Sequence, residues 1–319
     1  MSAAAEAGIP PHPAWAKLLL GASLPLAVLC LLAPTARWWF IGEMACNAGL
    51  HAAVLLLPAV IAWRRSPTVC GALLVLVLLG ASPWLRAAWE DRAPRVAPAA
   101  TAIPVACANL YLYNEPAERP AAVASILAGK PAIAVLAESI TSSDRSQIPL
   151  LDYPYQIWQP QLRRKWRDCV VLLSKYPIVR EVMHDLDTQP FIEATLDVDG
   201  KPLHVIAVHT MSPVTPDKRD ERDRQLSDIA DLIASLDGPV LLMGDCNLSV
   251  ASPAWRDLRA RSGLRRAAQR EPASWPSAFG GFGITIDHVL GRGLALGAQE
   301  AFTIPGSDHR GMRGTIVLP

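Results

Sequence analysis

Eight side chains in the later two-thirds of the chain are of the types that move protons or hold cations, and each stands in or just beyond a short apolar run. They are Asn109 in ACANLYLYN, Glu138 in VLAES, His209 in IAVHT, Asp245 and Asn247 in GDCN, Asp287 in TIDHVL, and the adjacent Asp308 and His309 in GSDH. A carboxylate buried beside an apolar run is costly unless something compensates it. One such residue alone reads as a strand-end cap; several acids, amides and imidazoles in sequence imply a shared site. Imidazoles suit proton transfer near neutral pH. Carboxylates with few thiols suit a hard, oxygen-preferring cation such as Mg²⁺ or Mn²⁺.

The elements that must position them are legible as runs. Strand-length apolar stretches recur at 105–113, 132–139, 169–174, 191–198, 202–210, 239–247, 285–291 and 314–319, and helical patterns fit at 117–129 and 217–236. Several runs are apolar on both faces, which calls for a sheet covered on both sides. The expected class is α/β, with two sheets packed face to face and helices outside. Such a scaffold presents its polar groups at one rim.

The first hundred residues differ in kind. They hold seven Lys/Arg and four Asp/Glu, against 23 and 25 in the remainder. Three stretches, 18–36, 44–63 and 66–85, carry no formal charge. Each is close to the roughly 20 helical residues that cross a ~30 Å hydrocarbon core. Trp38, Trp39, Trp63, Trp84 and Trp89 gather at their ends, as interfacial rings do. The expected organisation is a membrane segment with three transmembrane helices over 1–91, a Pro/Ala-rich linker over 92–104 and a catalytic domain over 105–319. Placing the Arg64–Arg65 loop in the cytoplasm puts the catalytic domain outside it. The near-neutral later part carries no global basic field of the kind nucleic-acid binders use. The six Cys show no CxxC pair and read as small buried hydrophobes.

In these motifs the chain resembles the endonuclease/exonuclease/phosphatase superfamily, with the DNase I-like fold, over about residues 103–319. GDxN followed by IDH and then SDH near the C-terminus is the specific part, joined by DCVVLLSKYPI and the segments around Asn109, Glu138 and His209. The nearest likeness is to bacterial members with a short N-terminal membrane segment, which implies a four-layer α/β sandwich at the bacterial inner membrane. The resemblance implies a divalent-metal-dependent phosphoesterase acting on nucleic acid or on a lipid or inositol phosphate. It makes Glu138 a metal ligand, with Asn109 beside it and Asp308 reaching the same ion. It gives Asp245 the attacking water, Asn247 a phosphoryl oxygen or the nucleophile, and His309 the phosphoryl group, with Asp287 orienting that imidazole. His209 becomes a second phosphate-contacting histidine.

Departures matter as well. Tyr111 stands where abasic-site endonucleases of the superfamily carry an acid, and those enzymes lack a histidine at His209. Both point to the DNase I, sphingomyelinase and inositol-phosphatase side. Cys246 inside GDCN reads as packing, and Arg167–Asp168 replace a glycine found in many relatives. His288 should face away from Asp287 as a structural residue; His204, Ser174 and Tyr176 also read as structural, and Ser307 as a holder of the loop presenting Asp308. The basic clusters 163–167 (RRKWR) and Arg256, Arg259, Arg261, Arg265, Arg266 and Arg270 read as solvated faces, with phosphate or anionic-lipid contact as the functional alternative. The competing function is a catalytically inactive membrane-tethered scaffold with the same fold.

Overall fold

The computed structural model describes residues 13–90, 102–159, 169–184, 189–267 and 271–319. The RRKWR cluster, Arg167–Asp168, Arg270 and nearly all of the expected linker lie outside the described residues. The chain divides into two compact units, Met1–Glu90 with Ala251–Pro253, and Asp91–Val250 with Ala254–Pro319.

The first unit is helical: α1 (Ala14–Ala22), α2 (Leu24–Leu32), α3 (Phe40–Ala62) and α4 (Pro67–Glu90). Two helices, Phe40–Ala62 and Pro67–Trp89, are long and apolar enough to cross a membrane, and there are up to three spans if the bent pair α1–α2 counts as one. The expected first span is therefore broken, by 40°. Pro25 has no N–H to continue the helical ladder, and Ser23 turns its hydroxyl back to the Leu19 carbonyl at 2.8 Å. Small residues let the helices close. A Cβ on Gly49 would collide with the Gly80 carbonyl, and one on Gly80 with the Cys30 sulfur, the backbone approach that favours glycine between apolar helices. Trp38 and Trp89 project outward as expected. Trp63 and Trp84 instead donate indole N–H groups to the Ala16 and Cys46 carbonyls, both at 3.0 Å. An indole N–H among apolar helices needs an acceptor, and a neighbouring helix supplies it.

The second unit holds two sheets. One runs β10–β12–β1–β2–β4–β3 with β11 also on β12; the other runs β5–β6–β7–β8–β9. The strands are β1 (Ile103–Asn109), β2 (Ile133–Ser139), β3 (Tyr155–Trp158), β4 (Cys169–Ser174), β5 (Ile178–His184), β6 (Phe191–Val198), β7 (Lys201–His209), β8 (Val240–Asp245), β9 (Asp287–Arg292), β10 (Ala295–Leu296), β11 (Glu300–Thr303) and β12 (Arg310–Val317). The helices are α5 (Arg119–Leu127), the short α6 (Thr141–Asp144), α7 (Pro216–Ser235) and α8 (Pro253–Ser262). Alternation along the strands builds the core. Val105, Cys107, Ile133 and Val135 of one sheet join Val205, Ala207, Leu241, Met243 and Val289 of the other in one buried cluster. The intervening residues Ala106, Ala108, Ala134 and Leu136 pack on Val123 and Ile126 of α5.

Each sheet has one parallel pair at its centre, β1/β2 and β7/β8. A parallel pair needs a crossover, and the chain supplies α5 for the first and α7 for the second. Since the inner faces meet each other, the crossover helices take the outer faces, which gives four layers in the mixed α/β sandwich. Both parallel pairs run towards the same rim.

Candidate active site

Strand register gathers the predicted residues. In the second sheet His209 ends β7 opposite Asp245, which ends β8, and Asp245 is opposite Asp287, which opens β9. Period-two alternation carries the inward face from Val205 and Ala207 to His209, and from Leu241 and Met243 to Asp245. Asn109 follows Val105 and Cys107 on the facing sheet in the same way.

Glu138 required a different device. Strict alternation would set it on the outer face with Leu136. The β2/β4 register shifts between Leu136 and Ser139, and Glu138 has φ 52°. One extra residue in the strand turns the next side chain over, so Glu138 points inward and its Oε1 accepts from Asn109 Nδ2 at 3.0 Å. The same Asn109 amide nitrogen donates to Asp245 Oδ2 at 3.0 Å, spanning the two sheets. Its Oδ1 accepts from the Tyr111 N–H at 2.8 Å, and Glu138 Oε2 from the Leu112 N–H at 2.5 Å.

GDCN is built around backbone geometry. Gly244 has φ 131°, and a Cβ there would strike the Val208 carbonyl of β7. Asn247 takes φ 44°, a left-handed position that asparagine tolerates. Its N–H donates to Asp245 Oδ1 at 2.8 Å and its Nδ2 to the Thr210 carbonyl at 2.9 Å. Burial pushes the Cys246 thiol well up, with the Asp245 charge second, consistent with packing and not nucleophilic chemistry.

His309 Nδ1 meets Asp287 Oδ2 at 2.8 Å, and its Nε2 lies 3.8 Å from Asp245 Oδ2 and 4.0 Å from Asp308 Oδ1. Burial acts to lower its pKa; the charge and hydrogen bond of Asp287, with Asp245 and Asp308 beyond, overcome that and raise it to about 10. The imidazole is therefore cationic at neutral pH. Asp245 is raised from the usual carboxylate range, first by burial and then by Asp287, with His309, His209 and the Asn109 hydrogen bond opposing. His209 Nδ1 faces Gln189 Nε2 at 2.9 Å. An amide nitrogen only donates, so the ring proton sits on Nε2, which points at Glu138 Oε1 (3.6 Å) and Asp245 Oδ2 (3.8 Å).

The donor set suits a cation. Glu138, Asp245, Asp287 and Asp308 bring four carboxylates to one rim, and among the described residues Asp287 Oδ1 and Asp308 Oδ1 are buried without a hydrogen-bond partner. Asp245, Asp287 and His309 place ligand atoms within 4.8 Å of one another. His309 Nδ1 is engaged with Asp287, and a hard cation prefers carboxylate oxygens such as those of Glu138 and Asp308.

The sequence profile of the Endonuclease/Exonuclease/phosphatase family matches residues 106–309. The chain belongs to this family. The family includes metal-dependent hydrolases of phosphate esters. Solved structures share the fold at low identity. A humanized D. rerio TDP2 superposes with a TM-score of 0.58 at 17% identity, over 68% of this chain and 99% of its own. Sphingomyelinase C from Streptomyces griseocarneus gives 0.54 at 19%, over 69% and 99%. An endonuclease/exonuclease/phosphatase from Bacteroides vulgatus gives 0.58 at 14%, over 69% and 100%. No curated protein sequence matches the chain.

Several residues that hold this family member's site carried no sequence signal. Gln189 is one, held in turn by Gln225, whose Nε2 donates to the Gln189 carbonyl at 2.5 Å. Arg119 is buried, pairs with Asp144 at 2.6 Å and donates to the carbonyls of Tyr111 and Glu138, tying the turns after β1 and β2. Trp275 Nε1 donates to Asp308 Oδ2 at 3.1 Å. Ser307 behaves as its place in GSDH suggests, donating to the Asn109 carbonyl at 2.8 Å and accepting from the His309 N–H at 3.0 Å. His288 turns away from the rim, bonded to the Leu248 carbonyl at 2.7 Å and 3.5 Å from Glu271. Of the arginines after GDCN, Arg259 lies over Trp255, Arg261 pairs with Asp231, and Arg266 lies 3.6 Å from Glu271.

Proposed function

We propose that this chain is a divalent-metal-dependent phosphoesterase, of phosphodiesterase type, anchored in a membrane by its N-terminal helices. The observation that carries the reading is the convergence at one rim of Glu138, Asp245, Asn109, His209 and the His309–Asp287 pair. Glu138 and Asp308, with Asn109 beside them, would hold a Mg²⁺ or Mn²⁺, which would supply charge neutralisation for the phosphoryl oxygens. The imidazolium of His309, fixed by Asp287, faces the same developing charge and needs no proton pickup to do so. Asp245, with its pKa raised, accepts the proton of the attacking water. Asn247 donates one amide N–H to the Thr210 carbonyl, and its carbonyl oxygen orients that water. His209 presents Nε2–H as a donor to a phosphoryl or leaving oxygen. The substrate is a nucleic acid or a lipid or inositol phosphate. Sphingomyelinase C and a D. rerio TDP2 complexed with single strand DNA product, both sharing the fold, support keeping both classes.

The test is turnover of bis-p-nitrophenyl phosphate by the full-length chain in detergent with Mg²⁺. Asp245→Asn and His309→Ala should each lower kcat by at least about 100-fold, the scale of a lost acid–base group, with the fold retained by circular dichroism. Full activity in either variant removes the mechanism. No turnover and no Mg²⁺ binding by the parent chain would instead favour an inactive scaffold. Phosphoinositide, sphingomyelin and plasmid DNA assayed side by side separate the substrate classes.

A further inference from the structure

Two residues other than glycine take left-handed backbone beside the rim: Tyr111, with φ 59°, and Glu138, with φ 52°. Such positions are strained for a residue that carries a side chain, and they persist where the surroundings hold them. One buried side chain holds both. Arg119, at the start of α5, donates from Nη1 to the Tyr111 carbonyl at 3.0 Å and from Nη2 to the Glu138 carbonyl at 2.9 Å.

The first of these bonds reaches the Glu138 carboxylate through a single peptide plane. The Tyr111 carbonyl and the Leu112 N–H belong to the same planar unit and point in opposite directions. Fixing that carbonyl on Arg119 therefore aims the Leu112 N–H at Glu138 Oε2, to which it donates at 2.5 Å. The second bond fixes the backbone from which the Glu138 side chain extends. Arg119 thus sets the glutamate from both its ends.

The guanidinium is itself held. Nε and Nη2 form a fork on Asp144, at 2.8 and 2.6 Å. Asp144 also accepts from the Ser139 and Ser143 hydroxyls, both at 2.9 Å, and from the Ile140 N–H at 2.7 Å. Burial acts to raise the Asp144 pKa; the Arg119 hydrogen bonds, the Ile140 N–H and the Arg119 charge overcome that and leave it lowered. The pair is therefore ionised at neutral pH and its charges cancel. The neighbouring cation site gains a rigid fork without a net positive charge beside it. A lysine ammonium lacks the planar set of N–H groups that serves a carboxylate and two carbonyls at once.

We propose that Arg119 is a positioning residue for the cation site: by holding both left-handed turns it presets Glu138, and so sets how tightly the chain binds its divalent metal. The proposal rests on the phosphoesterase reading, in which Glu138 is a metal ligand, and adds a residue that acts only through that glutamate.

The test is Mn²⁺ binding to the full-length chain in detergent, followed by the loss of the free-ion electron spin resonance signal, which needs no turnover. Arg119→Lys keeps the charge opposite Asp144 and loses the fork. Its Mn²⁺ Kd should rise by about tenfold or more, the scale for groups that orient metal ligands. Its kcat on bis-p-nitrophenyl phosphate at saturating Mg²⁺ should stay within about threefold of the parent, because excess metal refills a site whose reacting groups are unchanged. Tyr153→Phe, which takes a buried hydroxyl from the Pro131 carbonyl at 2.8 Å, is the comparison for lost stability alone and should leave the Mn²⁺ Kd where it was. If Arg119→Lys lowers Tm as that variant does and keeps the Kd within about twofold of the parent, Arg119 is structural only and the inference fails. Should Arg119→Lys not fold, Asp144→Asn loosens the same fork from its other side and carries the same expectation. A parent chain that binds Mn²⁺ but cleaves no ester sinks the catalytic reading and leaves the Arg119 comparison to decide the inference. A parent chain that binds no Mn²⁺ removes the cation site and this inference together.

Discussion

The two histidines at the rim are oriented by different partners. His309 has a carboxylate on Nδ1 and His209 an amide nitrogen. Asp287→Asn removes the largest raising influence on His309, so its ring should titrate well below the parent value of about 10. The check is the His309 ring resonance across pH, together with kcat, which should fall by about 100-fold or more at neutral pH. Behind the rim, His288 and Glu271 form a second buried pair. Burial lowers the His288 pKa, but Glu271 reverses this and leaves it raised above 6.5; burial raises Glu271, but His288 and Arg266 reverse this and leave it below 4.5. The Glu271 contribution to stability is present above pH 4.5 and lost as pH falls through its depressed pKa. The His288 contribution is present below pH 6.5 and lost as pH rises through its raised pKa. Both are complete between these values. Glu271→Gln should cost about 3–5 kcal/mol there, seen as a drop in Tm on the order of 10 °C. A Tm difference that grows outside that window would contradict the pairing.

At the scale of elements, two backbone irregularities aim the chemistry. The β2 bulge turns Glu138 inward, and the Gly244 conformation lets β8 lie against β7 while Asp245 reaches the rim. Gly244→Ala should destabilise the second unit by about 3 kcal/mol or more, because it adds both a strained φ and a collision with backbone that cannot move aside. Denaturant unfolding followed by circular dichroism measures this. A shift within error would mean that β7 and β8 separate freely at that point. The sequence made the central strands legible because their apolar runs are long and buried on both faces; 169–174 and 191–198 match the observed strands at both ends. It hid β3 and β5, where exposed residues such as Tyr155, Val179 and Arg180 break the pattern. Motif order located the predicted site residues because chain ends of neighbouring strands meet at one rim. It was silent on Gln189 and Arg119, whose roles come from contacts far apart in sequence. The bend at Ser23–Pro25 was missed because a hydropathy count registers length and charge, not the missing amide of Pro25.

At the scale of the whole molecule, the helices of the first unit turn Leu18, Leu24, Leu31, Leu55, Leu74 and Leu78 outward. An apolar exterior of that extent suits hydrocarbon and not water, so the chain should stay in the membrane pellet after an alkaline carbonate wash. The side on which the second unit lies depends on α4 alone once the Arg64–Arg65 loop is placed. With that loop in the cytoplasm, the chain beyond α4 is outside whether α1–α2 crosses or not. The N-terminus is what the bend decides. A crossing α1–α2 pair puts Lys17 in the cytoplasm, and a re-entrant pair puts it outside. Reporters fused to each end separate these cases: a C-terminal alkaline phosphatase active in both, and an N-terminal tag protected in the first and open to external protease in the second. An inactive C-terminal phosphatase beside a folded chain would place the Arg64–Arg65 loop outside. The positive-inside argument would then fail for this protein, and the substrate would have to be sought in the cytoplasm.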